Sequence, residues 1–239
     1  MSTREEFFVR IHKALGRRPD ELPPTRCPDQ LFTPLDGVMS PIPSDQIIDK
    51  FEAELQKVGG NAHRAGSLKE LDEILRSILQ QHQVQSVVCT RNPILKTLGL
   101  SDKLSAWGLK SAVWSGIEDS PNSFKEKVFS ADVGVSGVEF VLAESGSLVL
   151  TSQTEGAQLA SLAPPTHIAL YRRSQAHASL EEVLEGLPVP TDPNQPVSGR
   201  SVVFITGPSR TADIEQILIR GVHGPKHVHA ILVEDACLA

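Results

Sequence analysis

Ser67-Leu68-Lys69-Glu70-Leu71-Asp72-Glu73-Ile74-Leu75-Arg76-Ser77-Ile78-Leu79, followed by Gln85-Ser86-Val87-Val88-Cys89-Thr90, decides the fold class. Ser67 and Glu70 have capping-box spacing. Leu71, Ile74, Leu75, Ile78 and Leu79 then recur on one helical face. Gln85 to Thr90 carries no charge and reads as a buried strand. Upstream, Asp45 to Val58 repeats the helical pattern through Ile47, Ile48, Phe51 and Leu55. Gly59-Gly60 stops it, and Asn61 to Ala65 reads as a short strand. Downstream, Arg91-Asn92-Pro93 turns out of the strand, Ile94 to Leu98 reads as a short helix, and Ala112 to Trp114 as a strand. Helices alternating with strands predict an α/β layer fold with a parallel sheet.

The rhythm changes after residue 131. Asp132 to Ser136 is short and apolar. Val138 to Ala143 and Leu148 to Thr151 flank Glu144-Ser145-Gly146-Ser147, which reads as a β-hairpin turn. His167 to Tyr171 is a further strand, Ser179 to Leu187 a helix, and Pro188 to Ser198 a Pro-rich loop. Val202 to Ile205 is an apolar run read as a strand covered on both faces. Gly207-Pro208 ends that run, Ser209 and Thr211 offer N-caps, and Ile214, Ile217 and Leu218 repeat at helical spacing. Val228 to Val233 is the last strand.

The N-terminal part is different. Ser2 with Glu5, and Thr3 with Glu6, make overlapping capping boxes before Phe8, Ile11 and Leu15, so a short helix is predicted up to Gly16. Residues 17–43 are proline-rich and aperiodic, an extended connector. The chain is therefore divided into an arm, 1–43, and an α/β domain, 44–239. The arm either straps its own domain or reaches another subunit to make a homo-oligomer.

Composition excludes several classes. The chain has 239 residues, 40% of them hydrophobic, and a formal charge of −6. Basic residues are scattered and there is one Tyr, so nucleic-acid binding is not expected. The charged N-terminus and the absence of a long apolar run point to a cytoplasmic protein without membrane insertion. Cys27, Cys89 and Cys237 are sparse and unpaired in sequence, which fits a reducing compartment and no cluster or zinc site. There is no phosphate-binding P-loop, no Gly-x-Gly-x-x-Gly, no His-Glu-x-x-His and no Gly-x-Ser-x-Gly. No cofactor and no metal is expected.

Ligands of open α/β sheets bind beyond the carboxyl ends of strands. That rule predicts convergence of four polar loops: Arg91-Asn92, Gly134-Val135-Ser136, Glu144 to Ser147, and Thr206 to Arg210. Ser136, Ser147, Thr206, Gly207, Ser209, Arg210, Thr211 and Asp213 are the candidate ligand-binding residues, with His223 reaching back from Gly221-Val222-His223-Gly224-Pro225. The ligand is a small carboxylate or phosphate, received by Arg210 and a helix start. The bland alternative is an ordinary capped helix, its dipole already met by Asp213 and Glu215. Glu144 is the candidate catalytic residue, as general base or nucleophile, against the alternative of a solvated hairpin tip. His223, His227 and His229 lie close in sequence. Histidines bonded to backbone are preferred over a metal site, because no carboxylate or Cys accompanies them.

Thr206 to Glu215 with Gly221 to Pro225 resembles the C-terminal signature of the lactate-utilization protein C family, the LUD domain. Ala143-Glu144-Ser145-Gly146-Ser147 and Leu159 to His167 resemble two further segments of that family, and the likeness spans about residues 45–239. It implies a three-layer α/β/α sandwich similar to ribose-5-phosphate isomerase and CoA-transferases. It also implies a component of a bacterial L-lactate oxidation system in which iron–sulfur partner proteins carry the clusters. The similarity of Glu144-Ser145-Gly146 to the Glu-x-Gly turn of CoA-transferases implies an alternative. This is a stand-alone enzyme acting on an acyl or sugar-phosphate substrate with Glu144.

Overall fold

The computed structural model describes residues 4–14, 41–114, 121–187, 201–211 and 219–238. The chain divides into two units, Met1–Ser40 and Pro41–Ala239. In the first, α1 spans Arg4–Ala14. The capping residues Ser2 and Thr3 and most of the Pro-rich connector lie outside the described residues.

In the second unit, α2 (Ile47–Lys57) is followed by β1 (Asn61–Ala65), α3 (Leu68–Gln81) and β2 (Ser86–Cys89). Then come α4 (Pro93–Thr97), α5 (Leu100–Ala106), β3 (Lys110–Val113), α6 (Pro121–Ser130) and β4 (Val133–Ser136). The chain continues through β5 (Phe140–Leu142), β6 (Ser147–Thr151), α7 (Ser152–Glu155), β7 (Thr166–Tyr171), β8 (Ala176–His177) and α8 (Leu180–Gly186). It closes with β9 (Val202–Ile205), β10 (Arg210–Thr211), β11 (Ile219–Arg220) and β12 (His227–Val233).

The central sheet has six parallel strands in the order β1-β12-β7-β4-β2-β3. It is flanked by helices, as the alternating pattern predicts. Ser67 caps α3 by accepting the Glu70 amide at 3.3 Å, and Glu70 accepts the Gly66 amide at 2.8 Å. The apolar face of α3 packs with α4 and α5 on one side of the sheet. Leu71, Leu75, Ile78, Leu95 and Leu104 meet Val87, Val135, Ile168 and Ile231 there. On the other side α6 places Phe124 and Val128 against Val88.

The rest of that second side is covered by α2 and a smaller sheet of order β8-β5-β6-β9. Ile48, Phe51 and Leu55 of α2 share a core with Val141, Leu148 and Leu150 of the small sheet. Ala169, Tyr171 and Leu232 of the central sheet complete it. Phe51 meets Tyr171 edge to face, with ring centroids 5.3 Å apart. The predicted hairpin is present, β5 pairing antiparallel with β6 from Phe140↔Val149 to Leu142↔Ser147.

Two expectations are corrected. Val202 to Ile205 is not covered on both faces. It is the outer strand of the small sheet, antiparallel to β6, and Val202 and Phe204 are each 41% exposed. Arg210 and Thr211 do not open a helix but pair with Arg220 and Ile219 in a two-stranded ribbon. The helix expected over 212–218, with Asp213, lies outside the described residues, as does the Pro188 to Ser198 loop.

Gly146 turns the hairpin at φ +65°, and its α-carbon lies so close to α2 that a Cβ would meet the Leu55 nitrogen and Leu55 Cα. Gly99 also has a positive φ, +58°, but open space around it. Gly146→Ala should therefore cost roughly 2–4 kcal/mol, conformational strain plus collision, and Gly99→Ala only about 1–2. Urea denaturation checks this; equal losses would show that the contact with α2 is unimportant.

Candidate functional site

Strands β2 and β4 are adjacent and parallel, but their chains leave in opposite directions. After β2 the chain enters α4 and α5 on one face of the sheet; after β4 it enters the small sheet on the other. This is a topological switch point, where a crevice opens at the carboxyl ends of the strands. Thr90, Arg91 and Asn92 follow β2, and Ser136 ends β4 with Gly137 beyond it.

Glu155, at the end of α7, joins these loops. It is fully buried. Its carboxylate accepts Thr90 Oγ1 at 2.6 Å, the Gly137 amide at 3.2 Å and Asn92 Nδ2. Burial raises its pKa above the ordinary carboxylate value, opposed by the donors Thr90, Asn92 and Gly137. Glu155 stands in Ser152-Gln153-Thr154-Glu155-Gly156, which has no chemical pattern in sequence. Two of its partners, Thr90 and Asn92, are brought from more than sixty residues away by the sheet.

The predicted four-loop convergence is not what the structure shows. Because β9 runs antiparallel to β6 outside the central sheet, the Thr206 to Arg210 turn lies at the opposite, amino edge. The Ser209 amide donates to the Pro225 carbonyl at 2.9 Å, and Lys226 and His227 donate to Pro165, all just before β12 and β7. The Glu144 turn is at this edge too. Ser145 Oγ, Ser147 Oγ and Thr206 Oγ1 form a chain of hydroxyls, 2.7 and 2.6 Å apart. Ser147 and Thr206 thus come together, whereas Ser136 is elsewhere, its Oγ 2.8 Å from His167 Nε2 in the core.

The charged candidates are engaged separately. Glu144 Oε1 accepts the Leu180 amide at 3.0 Å, at the start of α8. Arg210 donates to the Val58 carbonyl at the end of α2. Its guanidinium and that of Arg220 come within 2.5 and 3.8 Å of where a Gly59 Cβ would lie, so two exposed cations cluster there. Among the described residues neither is paired with a carboxylate. Gly207 takes φ +79° against Val58, and His223 is exposed.

His227 and His229 share one face of β12, as strand periodicity requires. Their partners are not backbone groups. His229 Nδ1 lies 3.1 Å from His63 Nε2, and its Nε2 lies 3.2 Å from His82 Nε2. The His82 and His227 rings are 4.4 Å apart. Sequence reasoning missed His63 and His82, which β1 and the end of α3 deliver from far away. Among the described residues no group of three His, Cys, Asp or Glu side chains is arranged to hold a metal ion.

A family model, the LUD domain, matches residues 48–233. Lactate utilization protein C of Geobacillus thermodenitrificans is 30% identical over 247 residues, covering 98% of this chain and 98% of that protein. The protein of the same name in Bacillus subtilis is 28% identical over 245 residues, covering 98% of each. A crystal structure of a DUF162 family protein from Deinococcus radiodurans superposes with a TM-score of 0.51. It is 19% identical and covers 81% of this chain and 99% of that one, a likeness of fold. The architecture is that of a helix-flanked parallel α/β protein. The chain belongs to the LUD domain family.

Burial lowers the pKa of His167 and of His229 to about 3, so both are neutral in the folded protein. In the unfolded chain they take up protons below about pH 6.5. Their contribution is complete above that pH and is lost as pH falls from about 6.5 toward 3. Each steepens the loss by up to about 1.4 kcal/mol per pH unit. His167→Gln should lower the acid sensitivity of stability by about one proton between pH 6 and 4. Urea titrations at a series of pH values measure this, and an unchanged slope would show that His167 is not buried neutral.

Proposed function

We propose that this chain is a component of a lactate-utilization system, acting with iron–sulfur partner proteins in the oxidation of L-lactate to pyruvate. The observation that carries the reading is the end-to-end match with proteins named lactate utilization protein C, which covers 98% of both chains in two relatives. A shared module inside an unrelated protein would match only in part.

The chain's own chemistry supports leaving electron carriers to partners. Three cysteines fall short of the four thiolates of an iron–sulfur cluster. Cys89 and Cys237 are buried, and burial pushes the Cys89 thiol up to about 12 and the Cys237 thiol above its ordinary value. Cys27 lies outside the described residues.

In this reading a small anion binds at the amino edge. Arg210 and Arg220 supply charge, and Ser147, Thr206, Ser209 and Thr211 supply hydroxyls. Gly207 lets the turn close, and Asp213 and His223 flank it in sequence. No specific observation favours the alternative of a stand-alone acyl- or sugar-phosphate enzyme. Glu144 Oε1 accepts the Leu180 amide and so holds the start of α8.

Tagged chain purified from its own cells should bring down an iron–sulfur protein, and the assembly should reduce a dye when given L-lactate. Arg210→Gln with Arg220→Gln should lower that activity roughly tenfold, the loss of about one charge-assisted bond. Dye reduction by the chain alone, or an assembly inert to L-lactate, would overturn the proposal.

A further inference from the structure

A cavity of about 250 Å³ lies beside the carboxyl end of β2, at the edge opposite Arg210. At roughly 30 Å³ per water it has room for about eight waters, the scale of a small metabolite. Thr90 and Asn92 border it, only 1% and 6% exposed. Glu155 holds both from behind, so the polar part of the lining is fixed before any ligand arrives.

Cys89, Leu95, Leu100 and Val113 supply apolar wall. Cys89, a buried thiol with a raised pKa, lines the cavity as an uncharged group and not as a nucleophile. Arg91, Lys96 and Asp102 also line it, and all three are exposed. Arg91 Nη2 donates to the Gln153 carbonyl at 3.0 Å, which ties its guanidinium to α7. Among the described residues Lys96 has no carboxylate partner. Two cations against one carboxylate leave a single positive charge for a ligand, which suits a monoanion better than a dianion.

We infer that this cavity is a binding site for a small monocarboxylate with a short aliphatic body. The carboxylate pairs with Arg91 and Lys96, the body lies on Leu95, Leu100 and Val113, and a hydroxyl substituent meets Thr90 and Asn92. The site is separate from the anion site at Arg210, and it does not depend on partner proteins.

Calorimetric titration of the full chain with acetate, butyrate, L-lactate and inorganic phosphate tests it. At least one monocarboxylate should bind saturably at millimolar concentration, more tightly than phosphate. Arg91→Gln should weaken binding about tenfold, and Ser101→Phe, which fills space at a half-buried lining position, should abolish it. Arg210→Gln, which weakens the separate amino-edge site, should leave unchanged the binding that Arg91→Gln weakens. If Ser101→Phe fails to fold, Lys96→Gln at an exposed position replaces it and should weaken binding severalfold. Three outcomes would overturn the inference. One is no saturable binding by any of the monocarboxylates. Another is tighter binding of phosphate in the Arg210→Gln chain, where the amino-edge site no longer contributes. The third is binding lost in Arg210→Gln but kept in the cavity variants. Failure of the lactate-driven assembly assay would leave this result standing, because the titration needs neither turnover nor partners.

Discussion

Contact between the Glu144 to Gly146 turn and the backbone of α2 fixes the rest of the molecule. Gly146 brings the small sheet onto Leu55 without an intervening side chain. Phe51, Leu55, Leu148 and Tyr171 can then close one core between a helix and two sheets. With the small sheet seated this way, β6 ends at the carboxyl edge of the central sheet and delivers Glu155 to Thr90 and Asn92. Its antiparallel neighbour β9 ends at the other edge and delivers Thr206 to Ser147. The two polar regions are consequences of one packing decision.

The two edges differ in character. The carboxyl edge holds a buried carboxylate satisfied by three donors, next to a cavity with apolar walls. The amino edge holds Arg210, Arg220 and Lys226 near four histidines whose rings contact one another. Burial lowers the pKa of each of those imidazoles, and the nearby cations Lys226 and Arg220 add to this for His227.

Much of the fold was legible in the sequence where local and global signals agree. In α3, the Ser67 cap and the spacing of Leu71, Leu75 and Ile78 specify the same helix that the core requires. The hairpin around Gly146 and the family signature were legible for similar reasons. Val202 to Ile205 was misread because an apolar run does not say how many faces are covered; only its place outside β6 does. The candidate site was less legible. Glu155 has no motif, and its burial is produced by residues the sheet brings from distant segments. The same holds for His63 and His82, which meet His229 across strand and helix. Glu144 and Arg210 were identifiable by residue type, but only the structure shows that each is bonded to a different helix end.

Membership of the LUD domain family rests on a match from residue 48 to residue 233. The proposed role of the chain is in lactate oxidation. The most direct measurement is growth of a deletion strain of the source organism on L-lactate and on pyruvate as sole carbon sources. Growth on L-lactate should be lost and growth on pyruvate kept, and the chain supplied in trans should restore growth on L-lactate. Equal growth on the two carbon sources would contradict it.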